Sequence, residues 1–132
     1  MIKKIDHVAI VVSNIDEALN IFSNMFGFRL VESVIDPRQE FRAVLISAGD
    51  AALELIEPIN PKGNISKFLK QRGGGIHHLS IDVDNIEQEL ESLQAKGIRL
   101  VNEEPQSLPS ARVAFVHPHS AGGVLIELIQ RV

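Results

Sequence analysis

The sequence repeats itself once. Shifted by 71 positions, His7-Val8-Ala9-Ile10-Val11-Val12-Ser13-Asn14-Ile15 falls on His78-Leu79-Ser80-Ile81-Asp82-Val83-Asp84-Asn85-Ile86. Six of the thirteen positions from His7 to Leu19 are identical: His, Ile, Val, Asn, Ile and Leu. After a slip of one residue, Gly27-Phe28-Arg29-Leu30-Val31 falls on Gly97-Ile98-Arg99-Leu100-Val101, and Arg42 on Arg112. Three extra residues near His117-Pro118-His119 then bring Leu53-Glu54-Leu55-Ile56 onto Ile126-Glu127-Leu128-Ile129. The period exceeds that of a solenoid unit, so a duplicated module is expected rather than an array. The whole chain has 132 residues, which suits one ordinary domain built from two modules.

Each module reads as strand, helix and three strands, an α+β arrangement of two tandem βαβββ modules. Residues 5–12 are rich in Ile and Val and stop at Ser13-Asn14, a strand followed by a helix-start signal. Ile15, Leu19, Phe22 and Phe26 recur at helical spacing and predict one apolar face. Gly27 ends that helix as a C-terminal glycine. Strands are expected over 28–34, 41–48 and 51–57. In the second module Ile86, Leu90 and Leu93 form the helix face and Gly97 the stop. Its strands are expected near 98–102, 112–117 and 123–130. Module one covers about 1–57 and module two about 76–132. In the joint at 58–75, Asn64 is placed as the N-cap of a short helix through Arg72 with Ile65, Phe68 and Leu69 on one side. Gly73-Gly74-Gly75 lacks a phosphate-binding fingerprint and reads as a flexible joint.

The repeat singles out four polar residues, His7, Glu54, His78 and Glu127. Each lies in an apolar strand, and each has its own residue type as its mate. Ala52 and Ile56 share the strand face of Glu54, while Leu125 and Ile129 share that of Glu127. Alternation therefore gives neither carboxylate a solvated side. A buried carboxylate without a partner costs several kcal/mol or becomes neutral. Duplication alone would not preserve such costly residues twice. A divalent metal ion is the economical common partner, since two neutral imidazoles and two carboxylates balance its charge. Nitrogen and oxygen donors without sulfur suit Ni²⁺, Co²⁺, Mn²⁺, Fe²⁺ or Zn²⁺. His77 and His78 point to opposite faces of a strand. The 71-residue offset selects His78, leaving His77 as a supporting or surface residue. Asp82, Asp84, Glu87, Glu89 and Glu91 read as a solvated strand end and helix face. Arg42 and Arg112 suit either an anionic substrate or the strand edges. His117 and His119 flank a proline in a turn.

Composition narrows the function classes. The net charge of −4 disfavours a nucleic-acid binder, which needs a basic face. No cysteine is present, which removes disulfides, thiolate metal sites and Cys nucleophiles. No apolar run has membrane-spanning length and no amino-terminal signal pattern is seen, so a cytoplasmic protein without a membrane partner is expected.

The duplicated strand-helix-three-strand module with His and Glu in each half resembles the vicinal oxygen chelate superfamily, which includes the glyoxalases and bleomycin-resistance proteins. Within that superfamily the chain is most similar to the methylmalonyl-CoA epimerases. Ile5-Asp6-His7-Val8-Ala9-Ile10, Gly75-Ile76-His77-His78-Leu79, Ile65-Ser66-Lys67-Phe68-Leu69 and the tail from Ala114 through His117-Pro118 to Gly123-Val124-Leu125-Ile126-Glu127-Leu128 carry the likeness. The resemblance implies an open curved barrel around one metal ion, Co, Ni, Mn or Zn, with His7, Glu54, His78 and Glu127 as ligands. It implies an isomerase acting on an acyl-CoA thioester, and a homodimer. Glu127 is the expected general base, removing the proton beside the thioester carbonyl, with the metal ion holding the enolate charge. Some epimerases carry a second acid/base Glu on the third strand. That place is Ala43 here, so Glu54 is the other catalytic candidate. The alternative is a glyoxalase I-type lyase acting on a hemithioacetal, which symmetric Glu ligands suit. A ring-cleaving dioxygenase would leave Glu54 surplus, and a non-catalytic binding module would tolerate the loss of a ligand that is retained here. Fold alone does not choose among them.

Overall fold

The computed structural model describes residues 1–132, and both modules take the expected order of elements. The elements are β1 (Ile2–Val11), α1 (Ile15–Leu19), β2 (Arg29–Ile35), β3 (Phe41–Ala48), β4 (Ala51–Pro58), α2 (Asn64–Arg72), β5 (Gly75–Val83), α3 (Ile86–Ala95), β6 (Gln106–Ser107), β7 (Ala111–Val116) and β8 (Ile126–Arg131). They fall into two compact units. One is His7–His77, and the other combines Met1–Asp6 with His78–Val132. No helix is long and apolar enough to cross a membrane.

In the first unit the strand order is β2-β3-β4-β1. β4 runs parallel to β1, with Ala9 opposite Glu54, and antiparallel to β3, with Leu45 opposite Glu54. Parallel pairing requires a crossover between β1 and β4, and α1 with β2 and β3 supplies it. One sheet face packs Val44, Ile46, Leu55 and Ile10 against Ile15 and Ala18 of α1. The other carries Ala9, Val11, Ala43 and Ile56, covered by Ile65, Phe68 and Leu69 of α2. The second unit repeats the plan as β5-β8-β7-β6. β8 is parallel to β5, with Ser80 opposite Glu127. Val83, Ala114, Val116 and Leu128 face Ile86 and Leu90 of α3.

α1 and α3 begin the same way. The Asn14 side chain accepts from the Glu17 N–H at 3.0 Å and Asn85 from Gln88 at 3.1 Å. The first helical N–H of each, at Ile15 and Ile86, donates to a side-chain oxygen of Glu57 or Gln130 at 2.8 Å. Two otherwise unpaired donors are thereby satisfied at each helix start. Gly27 and Gly97, at φ +88° and +82°, turn the chain after each helix, as the sequence predicts.

Four expectations need correction. α1 does not continue as an α-helix to Phe26: Asn20–Met25 is π-helical, with the Phe26 N–H bonded to Ile21 O. The wider turn rotates Phe26 off the apolar face, and it is 71% exposed. Gly63, rather than Asn64, is the N-cap of α2, and Asn64 is its first residue. Residues 98–102 form no strand; Leu100 makes one isolated bridge to Val116, and the strand beside β7 is the two-residue β6. The three joint glycines are needed for shape rather than flexibility. All have positive φ, and a Cβ on Gly74 would lie 2.8 Å from the Val11 carbonyl oxygen.

Candidate functional site

Strand alternation decides what each module offers chemically. Helices cover the face carrying Ile10 and Leu55 in one unit and Val83 and Leu128 in the other. The opposite face then receives His7 and Glu54, or His78 and Glu127. In the first unit His7 Nε2 lies 3.8 Å from Glu54 Oε1. In the second, His78 Nε2 lies 3.7 Å from Glu127 Oε1. Both imidazoles are buried. The carboxylates differ: the Glu54 side chain is 27% exposed and that of Glu127 11%. The sequence places each predicted Glu beside its predicted His, within its own module.

These pairs fit a divalent ion. Each offers one imidazole nitrogen and one carboxylate oxygen, a hard-to-intermediate donor set without sulfur. Donors at about 2.1 Å from one ion stand roughly 3.0–3.6 Å apart for ligand angles between about 90° and 120°. The observed 3.7 and 3.8 Å are wider by tenths of an ångström, within reach of a small side-chain rotation.

The second pair has a residue that sequence reasoning missed. The Ser80 hydroxyl donates to Glu127 Oε1 at 2.7 Å, and Ser80 is fully buried. The repeat holds the signal, because Ser80 is the mate of Ala9 and each stands opposite the catalytic-candidate Glu of its module. His78 is also held edge-on to the Phe115 ring, centroids 5.6 Å apart.

The remaining candidates have structural work. His77 meets the Phe68 ring at 4.8 Å, and burial, aided by the Arg72 charge, lowers its pKa. Arg42 pairs with Glu57 at 3.5 Å. Arg112 pairs with Glu87, whose carboxyl its guanidinium holds below the usual range. His117 Nδ1 accepts from the His119 N–H and caps a short 3₁₀ turn. Asp82 departs from the expected solvated strand end. It is buried, with Lys3 Nζ 3.9 Å away, because β5 turns this position to the face of His78 and Ser80. Ala43 is buried among Ala9, Val11 and Ile56, and Glu40 is engaged by the Asn60 amide at 3.3 Å. β3 therefore brings no carboxylate to the face of Glu54.

Comparison with known proteins identifies the family. The family model described as Glyoxalase/Bleomycin resistance protein/Dioxygenase superfamily matches residues 6–115. The mitochondrial methylmalonyl-CoA epimerase of Homo sapiens is 36% identical over 129 residues, 96% of this chain and 73% of that protein. The mitochondrial methylmalonyl-CoA epimerase of Dictyostelium discoideum is 33% identical over 132 residues, 98% of this chain and 80% of that protein. The crystal structure of methylmalonyl-CoA epimerase from Mycobacterium tuberculosis superposes with a TM-score of 0.91 at 34% identity, covering 99% of this chain and 89% of the other.

Proposed function

Because the chain belongs to the Glyoxalase/Bleomycin resistance protein/Dioxygenase superfamily, we propose that it is a metal-dependent methylmalonyl-CoA epimerase. The observation that carries this is the His–Glu pair built twice at matching places of two modules. The activity of its relatives adds support. His7, Glu54, His78 and Glu127 together would hold one divalent ion. When bound, that ion supplies Lewis-acid stabilisation for the charge developing on the thioester oxygen.

The protein side chains carry the proton. Glu127 takes it from the carbon between the thioester and the free carboxylate. The C–H bonding pair moves into the enolate, whose charge rests on the thioester oxygen. Return of a proton to the opposite face of that carbon inverts its configuration. Glu54 is the candidate for this second step, since Ala43 and Glu40 leave β3 without one. General acid–base transfer of this kind contributes about 10²–10⁴-fold in rate. The same proposal includes a homodimer and a cytoplasmic location. A glyoxalase I-type lyase is the second reading, favoured by a carboxylate rather than an amide at Glu54 in the first module.

Proton NMR of metal-replete protein with methylmalonyl-CoA of one configuration in D₂O tests the proposal. Deuterium should enter the carbon between the two carbonyls, with inversion. Exchange without inversion would leave Glu127 as the only competent base and remove Glu54 from the proton path. No exchange would overturn the epimerase in favour of the hemithioacetal lyase or a binding protein.

A further inference from the structure

The two modules are alike in register and unlike at one atom. Ala9 stands opposite Glu54, and Ser80 stands opposite Glu127. Ala9 and Ser80 are both fully buried, so the second module has placed a hydroxyl in a strand interior where its mate has a hydrogen. A buried hydroxyl costs free energy unless it is hydrogen-bonded. Here it donates to Glu127 Oε1 at 2.7 Å, a distance typical of a charge-assisted bond. The same oxygen faces His78 Nε2 at 3.7 Å. Ser80 and Glu127 are 47 residues apart in sequence, and the parallel ladder of β5 and β8 fixes their approach. A serine has a single side-chain torsion to order, so little rotamer freedom is lost in holding the contact.

We propose that Ser80 is a positioning residue that locks the Glu127 carboxylate in its ligating orientation and makes the two module carboxylates inequivalent. This rests on the metal-centre reading above. Glu127 thereby receives a hydroxyl from the facing strand, whereas Glu54 faces Ala9 and is the more exposed of the two. Hydrogen-bond partners of metal ligands typically contribute about 10–100-fold in metal affinity or activity.

Titration of Co²⁺ into metal-free protein, followed by calorimetry and by visible absorption of the bound ion, tests the assignment. In Ser80→Ala the dissociation constant should rise about 10-fold or more and the absorption spectrum should change. Ser80→Gly removes the hydroxyl without bringing a new metal ligand to the site. It should weaken Co²⁺ binding to a similar degree, and it decides the question if Ser80→Ala does not fold. In a Glu127→Gln background the added Ser80→Ala change should have much less effect, since residues acting through one contact are not additive. Binding within about two-fold of the parent in the folded variants, or full additivity with Glu127→Gln, would overturn the role of Ser80. Failure of the parent itself to bind Co²⁺ would instead overturn the metal centre on which that role depends.

Discussion

Glu127 is held by two neighbours from the strand beside it, the Ser80 hydroxyl at 2.7 Å and the His78 ring at 3.7 Å. Its amide analogue keeps the shape and loses the charge and the basicity. Glu127→Gln should therefore lower turnover by at least about 10²-fold, the lower range for a lost general base. Far-ultraviolet circular dichroism should be unchanged, and retained turnover would remove Glu127 from the chemistry. At this scale the sequence was informative because the costly residues occur twice, and a buried His and Glu at matched positions need a shared explanation. Ser80 is faint in the sequence for the opposite reason, since the repeat marks it only as the mate of Ala9. A serine in a strand is ordinary, and only the register that sets it against Glu127 gives it a role.

The two helix starts show what local signals can and cannot convey. Asn14 and Asn85 cap their helices at 3.0 and 3.1 Å, and both were readable as start signals. Asn14→Ala and Asn85→Ala should each lower stability by about 1 kcal/mol. Urea unfolding should show this as a lower midpoint at unchanged slope; an unmoved midpoint would mean that Glu57 or Gln130 suffices to hold the helix start. Those second bonds come from residues 42 and 44 positions away, so no local pattern announces them. The π-helical turn at Asn20–Met25 escaped for a similar reason. The periodicity of Phe22 and Phe26 fits an α-helix, and packing decides otherwise. Phe22 stands edge-on to Phe28, ring centroids 5.8 Å apart, while Phe26 is left exposed. The missing strand at 98–102 reflects apolar residues that satisfy a strand pattern but join the adjoining ladder only at Leu100.

For the molecule as a whole, the order of elements was legible because the same run of strand, cap, helix and glycine occurs twice. If the four predicted ligands bind an ion in the folded state alone, that ion stabilises the fold by mass action. At a concentration 100-fold above its dissociation constant the gain is about 2.7 kcal/mol. Differential scanning calorimetry should then show Tm rising by several degrees with Co²⁺ and falling back with a chelator. A Tm indifferent to both would contradict the metal centre.

The division into units has a temporal side. Residues 7–77 form a continuous stretch, so every contact within that unit is available once residue 77 has been made. The other unit joins Met1–Asp6 to His78–Val132. Its double hydrogen bond from the Arg131 guanidinium to Asp6 spans 125 residues. On the ribosome the first six residues must wait for partners that emerge last among those described. Closing so long a loop delays pairing, so β1 begins as a strand with only its second half in use, and the half that carries His7 is served first.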